Sequence, residues 1–135
     1  MLQSDGTGLA LLRARIDATA ARAEEAVYLG GEARALRDYW DSVAGVADHL
    51  RSGDATRATD DATMFLRAFG HGVVGWLLLD LAMSSHDSGS RSPALALEHP
   101  CRFFFEAELP QARAWLQIVG AQCSSVRSAP DEVFA

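Results

Sequence analysis

Residues 64–81 read MFLRAFGHGVVGWLLLDL and contain the most apolar run of the 135-residue chain. Large apolar residues recur in this stretch at three- and four-residue steps: Phe65, Phe69, Val73 and Trp76. This spacing predicts one face of an α-helix that begins near Asp54 or Thr56 and ends near Ser84. From Val73 onward the helix is apolar on every face, so we expect it to be the most buried helix of the fold.

The uninterrupted apolar run, Val73–Leu79, is short and is closed by Asp80. A helix that spans a bilayer needs about 20 apolar residues, so this run predicts no membrane span. The N-terminal residues lack the basic and apolar regions of a secretory signal. Cys101 and Cys123 are too few and too far apart for a disulfide framework or a zinc site. Together these features predict a cytoplasmic location.

Two amphipathic helices are predicted before the apolar segment. The apolar face of the first consists of Leu9, Leu12, Ile16, Ala20, Ala23 and Val27, and that of the second consists of Leu36, Trp40, Val43, Ala47 and Leu50. Both sets follow the helical period. Gly30 and Gly31 are expected to form a left-handed C-cap and a turn between these helices.

A fourth helix is predicted after a loop. Ser84–Pro93 reads SSHDSGSRSP, the composition of a mobile loop. Cys101–Gln122 then has helical periodicity, with Pro100 acceptable in its first turn. Pro110 has no N–H to bond to the Glu106 carbonyl, so we expect the last helix to be kinked there.

The whole pattern predicts one all-α domain. No strand-like alternation occurs, and short turns between amphipathic helices indicate an antiparallel four-helix bundle with a kinked last helix over residues 1–127. Residues 128–135 lack periodicity and are expected to be a flexible tail. The 12 basic residues are scattered among 18 acidic ones for a net charge of -6, which disfavours a nucleic-acid partner.

The string Gly70-His71-Gly72-Val73-Val74-Gly75 matches the G-x-G-x-x-G fingerprint of dinucleotide-binding proteins. That fingerprint functions only after a strand and at the start of a helix, where backbone N–H groups meet a pyrophosphate. Helical periodicity precedes the string here. We therefore interpret Ala68, Gly72 and Gly75 as small residues that let a neighbouring helix approach closely.

His71 and Asp80 are the residues of this segment with possible acid–base chemistry. His71 points away from the aromatic face and is predicted to hydrogen-bond to a neighbouring helix, with a general acid or base as the alternative. Asp80 falls near the middle of the aromatic face, where a buried carboxylate needs a cation or several donors. We expect either a structural ion pair, with Arg102 as the partner, or exposure of Asp80 at the end of the bundle. The alternative is that Asp80 binds a ligand.

No metal site is predicted. The four histidines form no H-E-x-x-H motif, so the ligands of zinc-protease and di-iron bundles are missing. His99-Pro100-Cys101 could bind a soft metal only with two further ligands from elsewhere. The aromatic cluster Phe103-Phe104-Phe105 could face a flat cofactor, but such clusters more often belong to a core or a subunit contact.

Several segments, taken in order, resemble one known arrangement. They are Leu2-Gln3-Ser4-Asp5-Gly6, Met64-Phe65-Leu66-Arg67-Ala68-Phe69-Gly70-His71, Trp76-Leu77-Leu78-Leu79, Arg102-Phe103-Phe104-Phe105 and Leu109-Pro110. From about residue 2 to 127 the chain resembles the C-terminal helical domain of large acyl-CoA dehydrogenases, including the methylmercaptopropionyl-CoA type. The resemblance implies a bundle appended to a flavoenzyme that oxidises acyl-CoA thioesters.

In that family the catalytic glutamate and the residues that hold FAD and CoA lie in preceding domains. No position of this chain corresponds to them, so the resemblance implies no catalytic or cofactor-binding residue here and places FAD in a partner. The family usually continues as helix toward the aromatic cluster, whereas Pro100 is expected to interrupt that helix. The chain is expected to begin about where the flavin-binding portion of the longer protein ends.

Two functions remain open at this stage. The first is a non-catalytic accessory or interaction module of acyl-CoA metabolism that packs on a dehydrogenase body or forms a homo-oligomer. Trp115 and Tyr39 are the expected hot spots of binding energy if they are exposed. The second is a free-standing bundle that acts on an apolar small molecule, with Asp80 or His71 as acid or base.

Overall fold

A computed structural model describes residues 7–52, 58–89 and 91–128, with side chains for residues 7–51, 62–89 and 96–121. The helices are α1 (Thr7–Glu25), α2 (Gly30–Ser52), α3 (Ala58–Asp87), α4 (Arg91–Phe103) and α5 (Leu109–Ser128), with a π-helical turn (Phe104–Glu108) joining the last two. No strand occurs among these residues, which confirms the all-α prediction. The predicted start near residues 54–56 and residues 129–135 of the predicted tail lie outside the described residues.

Neighbouring elements run antiparallel. Arg13 near the start of α1 binds Asp41 of α2, whereas Glu24 near the end of α1 binds the earlier Arg37. Helix α3 is likewise antiparallel to the last helix, which α4, the π-helical turn and α5 form as one continuous helix. The chain is therefore a four-helix bundle in up-down-up-down order. The largest fully buried side chains are Trp40, Tyr39, Ile16, Leu36, Leu79, Met83, Leu116 and Val43.

In the turn between α1 and α2, the residues with a left-handed backbone conformation are not glycines. Val27 and Leu29 have φ angles of 51° and 58°, a region that side chains with a Cβ seldom adopt. A backbone hydrogen bond of 3.1 Å across five residues closes α1 there, as in a Schellman motif. The prediction that Gly30 and Gly31 form this cap is wrong, because both lie in the first turn of α2.

The last helix begins earlier than predicted. Helix α3 continues through Asp87 and α4 already begins at Arg91. The predicted loop over Ser84–Pro93 is therefore wrong at both ends. Pro100 lies inside α4 rather than in the first turn of a helix that starts at Cys101.

The polar last turn of α3 is helical because its side chains have partners on another part of the chain. The ring of His86 stacks on Tyr28 with centroids 4.2 Å apart. A carboxylate oxygen of Asp87 lies 2.8 Å from Nη2 of Arg22. Tertiary contacts thus extend a helix through residues whose local composition is typical of a loop.

Where a kink at Pro110 is predicted, the structure has a π-helical turn that ends two residues before Pro110. Proline has no N–H, so the Glu106 carbonyl loses its usual partner four residues on. The wider π turn places two consecutive aromatic side chains, Phe104 and Phe105, in the core.

Helix α3 is central but is not buried on every face. It packs against α1, α2, α4 and α5, yet Leu66, Val74, Leu77 and Leu81 on its remaining side are between 45% and 66% exposed. The prediction that α3 is the most buried helix is wrong, because neighbours can cover a helix only on the sides where they lie.

By length and composition alone, Ala62–Asp87 of α3 could cross a membrane. The length of the uninterrupted apolar run therefore does not by itself exclude a span, since the helix extends well beyond that run. A central helix of a helical bundle satisfies the same criterion, and α3 packs against four other helices.

Candidate functional site

The inner face of α3 is the side that meets α2, and two glycines let the helices approach closely. A Cβ added at Gly72 would lie 2.8 Å from Cζ2 of Trp40 and 2.9 Å from Cε1 of Tyr39. One added at Gly75 would lie 3.1 Å from Cε1 of Phe104. The structure thus confirms the interpretation of Gly72 and Gly75 as packing glycines.

The same close approach brings two polar groups of α2 to the backbone of α3. The Tyr39 hydroxyl donates to the Ala68 carbonyl, and Nε1 of Trp40 donates to the Gly72 carbonyl at 3.3 Å. Both side chains are buried, so these bonds supply partners for groups that would otherwise be unsatisfied. Burial also raises the pKa of the Tyr39 hydroxyl well above its ordinary value.

The G-x-G-x-x-G string has no geometry for a phosphate. It lies in the middle of α3, so its backbone N–H groups are within the helical ladder rather than at a helix start. Aromatic side chains fill the space beside Gly72 and Gly75. These residues therefore do not fit a nucleotide or the pyrophosphate of FAD.

Asp80 belongs to a network between α1 and α3, and Arg102 is not part of it. Oδ1 of Asp80 lies 3.3 Å from Nη1 of Arg22 and 3.1 Å from the Thr19 hydroxyl. Nε1 of Trp76 donates to the same hydroxyl at 3.0 Å. The prediction of a structural ion pair is confirmed, but its predicted partner is wrong. The Asp80 side chain is 40% exposed, so this carboxylate also has access to water.

Arg102 instead joins α4 to α2. Its guanidinium lies 3.1 Å from Oε1 of Glu98 and 3.3 Å from Oε1 of Glu32. The hydrogen bond with Glu98 raises the pKa of Arg102 above its ordinary value. The sequence did not identify Glu98 and Glu32 as partners of Arg102, because local sequence fixes neither the early start of α4 nor the position of α2.

His71 packs between aromatic rings of the last helix. Its centroid is 5.0 Å from the Trp115 ring, edge to face, and 6.2 Å from the Phe104 ring. Nδ1 lies 3.1 Å from the Arg67 carbonyl, an acceptor, so Nδ1 carries the proton in that bond. The histidine thus hydrogen-bonds within its own helix, and the predicted bond to a neighbouring helix is replaced by ring contacts.

The three candidate site residues therefore engage different neighbours. Asp80 pairs with α1, Arg102 pairs with α2, and His71 packs against the last helix. A cleft of about 200 Å³ is lined by Thr63, Met64, Arg67 and Trp115, and none of the candidates is among these residues. The Arg67 guanidinium lies 5.6 Å from the centre of the Trp115 ring, a cation–π contact.

The described residues contain no cluster of three or more potential metal ligands. His99 is exposed whereas Cys101 is fully buried, so these neighbours do not face a common site. Burial raises the pKa of the Cys101 thiol to about 12. A thiol with this pKa is an inert core residue at neutral pH.

The outer face of α3 carries an uncharged row of residues that sequence reasoning missed. We call it the outer stripe and define it as Leu66, Gly70, Val74, Leu77 and Leu81. All five are exposed. No described atom lies within 4 Å of a Cβ added at Gly70. The stripe was hidden in the sequence because α3 is apolar all round, which leaves no polar face to mark the inward direction.

The residues predicted to contribute most binding energy at an interface, Tyr39 and Trp115, differ in their exposure. Tyr39 is fully buried and cannot contact a partner without unfolding. Trp115 is half-buried beside the cleft. Phe103 is 58% exposed, unlike the two phenylalanines that follow it. The aromatic cluster therefore contributes to the core and leaves one ring at the surface.

One comparison with known proteins identifies a family. A family model described as acetyl-CoA dehydrogenase C-terminal like matches residues 12–130. No curated protein and no solved structure matches the chain.

Proposed function

Because this chain belongs to the acetyl-CoA dehydrogenase C-terminal-like family, we propose that it is a non-catalytic helical interaction domain. It would pack on the body of a flavin-dependent acyl-CoA dehydrogenase or on a second copy of itself. The observation that carries this proposal is the outer stripe, an exposed apolar row on the central helix. The largest contiguous apolar patch on the surface of a folded domain is often functional.

Such a domain would bind its partner by burying apolar surface. Each leucine of the stripe that leaves water on binding contributes about 1 kcal/mol or more. The absence of charge along the stripe avoids the desolvation of ions at the centre of the contact. The flavin and the catalytic base would be supplied by the dehydrogenase body.

The contacts of the acid–base candidates support this assignment. The carboxylate of Asp80 is engaged by Arg22 and Thr19. His71 donates a hydrogen bond from Nδ1 to its own helix and does not line the cleft. The alternative is a free-standing enzyme for an apolar small molecule with Asp80 or His71 as acid or base, and the lining of the cleft of about 200 Å³ includes neither residue.

The proposal is tested with the purified chain, FAD and an acyl-CoA. After incubation with FAD and gel filtration, we expect no flavin absorbance in the protein peak. We also expect no reduction of an electron-accepting dye when acyl-CoA of short, medium or long chain is added. A complete acyl-CoA dehydrogenase assayed in parallel is the positive control. Stoichiometric FAD with turnover of any acyl-CoA would show that the domain is an enzyme.

A further inference from the structure

The turn between α1 and α2, residues 26–29, holds two side chains in a backbone conformation that usually requires glycine. The φ angles of Val27 and Leu29 are 51° and 58°. In this left-handed region the Cβ crowds the following carbonyl oxygen, and a β-branched residue such as valine is a rare exception there. The turn is therefore strained, and the strain would be released if residues 26–29 became helical.

Helix α1, which this turn connects to the rest of the bundle, has a small apolar contact with it. Leu9 and Leu12 are only partly buried. Ile16 is the one large side chain among the buried residues of α1, which otherwise are Thr19, Ala20 and Ala23. Solvent-accessible ion pairs, which contribute little to stability, join α1 to α2 and α3: Arg13–Asp41, Glu24–Arg37, Arg22–Asp80 and Arg22–Asp87. Detaching α1 therefore costs less than detaching a helix with a broad apolar face.

A strained hinge beside a helix that can detach favours exchange of that helix between two copies of a chain. From this combination, and resting on the proposed function in which the domain binds a second copy of itself, we infer that two copies of the chain exchange α1. In the exchanged dimer, residues 26–29 are helical and residues 7–52 form one continuous helix. The α1 helix of each copy fills the place on α2 and α3 of the other.

The topology of the bundle permits this exchange about a two-fold axis. Helices α1 and α2 are antiparallel in the closed chain, so an α1 extended in line with its own α2 is antiparallel to the α2 of a two-fold-related copy. Gly30 and Gly31 are already helical, which confines the backbone change to residues 26–29. The occupant is a second copy because the receiving surface is complementary to α1, including the Trp76 indole N–H that donates to the Thr19 hydroxyl.

The exposure of Val27 is an independent observation that favours the exchange. Val27 is 90% exposed, the highest value among the large apolar residues that the structure describes. In the closed chain its side chain lies in water at the tip of the turn. In the exchanged dimer the two hinges cross at the two-fold axis, where the two Val27 side chains lie close to each other. The same change thus relieves backbone strain and removes apolar surface from water.

Exchange is expected to be slow. To leave its place, α1 must break the stack of the Tyr28 ring on His86 and uncover Leu29, which is 4% exposed. Monomer and dimer should therefore interconvert only when α1 detaches, and a dimer once formed should persist on dilution.

Gel filtration of the full chain tests dimer formation. Millimolar protein is incubated in urea below the unfolding midpoint, the urea is removed, and light scattering identifies monomer and dimer in the eluate. Val27→Gly should lower the association constant at least ten-fold, because glycine relieves the strain of the closed turn and weakens the continuous helix. Ala18→Gly is the matched control. Ala18 is exposed on α1 and helical in both forms, so dimerisation should be unchanged.

Chemical cross-linking tests the exchange itself. Arg13 and Asp41 are in contact whether α1 is held by its own copy or by the other. A chain that carries both Arg13→Cys and Asp41→Cys is separated into monomer and dimer, and each fraction is treated with a short bismaleimide. On a denaturing gel the dimer fraction should give covalent dimers, above the background that Cys101 and Cys123 give in the unmodified chain. The monomer fraction should give single chains closed by the reagent.

Four results would overturn the inference. They are a monomer under all these conditions, equal dimerisation by Val27→Gly and the unmodified chain, loss of dimerisation in Ala18→Gly, and a dimer whose cross-link stays within one chain. The last result would assign association to an outer surface of the closed chain. These failures are distinct from failure of the proposed function, which requires bound FAD and acyl-CoA turnover.

Discussion

The inner and outer faces of α3 have similar composition but opposite surroundings. On the inner face, Gly72 is closed off by the rings of Tyr39 and Trp40. On the outer face, Gly70 lies among exposed leucines with open space above its Cα among the described residues. The same residue type, two positions apart, is therefore used once for packing within the chain and once on a free surface.

This difference teaches that apolar character by itself does not identify a core. Leu79 is fully buried and Leu77 is 45% exposed, although both belong to the same run of leucines. Their positions differ by about 200° around the helix axis. Which leucine is buried depends on where α1, α2 and the last helix lie.

The largest expected effect distinguishes the two glycines directly. Gly72→Ala should destabilise the fold by about 2 kcal/mol, because its Cβ would overlap two buried rings that hydrogen bonds hold in place. Gly70→Ala, the matched control, should be neutral or stabilising by up to about 1 kcal/mol, because alanine has the higher helix propensity. Urea unfolding at low micromolar concentration measures both variants.

Equal changes in the free energy of unfolding for Gly72→Ala and Gly70→Ala would contradict the distinction between a packed inner face and an open outer face. If Gly72→Ala unfolds like the unmodified chain, the inner face is looser than the structure indicates. If Gly70→Ala is the more destabilising change, the outer face is covered by another part of the monomer.

An intermediate effect is expected at the contact between α1 and α3. Thr19 is 4% exposed and accepts the indole N–H of Trp76. Thr19→Val keeps the shape of the side chain but leaves that N–H without its acceptor, which should destabilise the fold by about 1–2 kcal/mol. Thermal and urea unfolding provide the measurement.

Asp80→Asn is the control for the Thr19 variant. It keeps an oxygen that can accept from the Thr19 hydroxyl and removes only the charge that faces Arg22. Since both charged side chains are more than a third exposed, the expected loss is below about 1 kcal/mol. A loss larger than that of Thr19→Val would mean that the ion pair, not the hydroxyl, stabilises this side of α3.

The smallest effect concerns the end of α3 and depends on pH. The hydrogen bond from Arg22 lowers the pKa of Asp87 below its ordinary value of 3.8. The ionised carboxylate therefore stabilises the folded state above that value, and the contribution is lost as the pH falls through the folded-state pKa.

Asp87→Asn should make the loss of unfolding free energy in acid slightly shallower than in the unmodified chain. Urea titrations from about pH 5 to pH 2 would measure the slope. Glu25→Gln on α1 is the control, because Glu25 lies outside this ion pair. An unchanged slope in Asp87→Asn would show that the last turn of α3 does not depend on the pair.

Sequence reasoning succeeded where the information is local. The apolar period predicted the first three helices, and the missing N–H of Pro110 pointed to the part of the last helix where the structure has a π-helical turn. It failed at Ser84–Pro93, whose composition is typical of a loop. Contacts of His86 with Tyr28 and of Asp87 with Arg22 hold part of that segment in α3.

Prediction of the candidate site residues was limited in the same way to what local sequence determines. A carboxylate near the aromatic face of α3 requires a partner, and this requirement predicted an ion pair for Asp80. The identity of the partner depends on which helix lies beside it, and that helix is α1 with Arg22 rather than α4 with Arg102. Fifty-eight positions separate Asp80 from Arg22, so no local spacing relates them.

The sequence by itself determined the helical class, the order of the helices and the family, because these depend on periodicity and residue type along the chain. Only the tertiary structure decided which face of α3 is the core and which is the outer stripe. A helix that is apolar all round has no preferred inward direction of its own. The neighbouring helices select that direction by where they pack, and what they leave uncovered becomes the surface available to a partner.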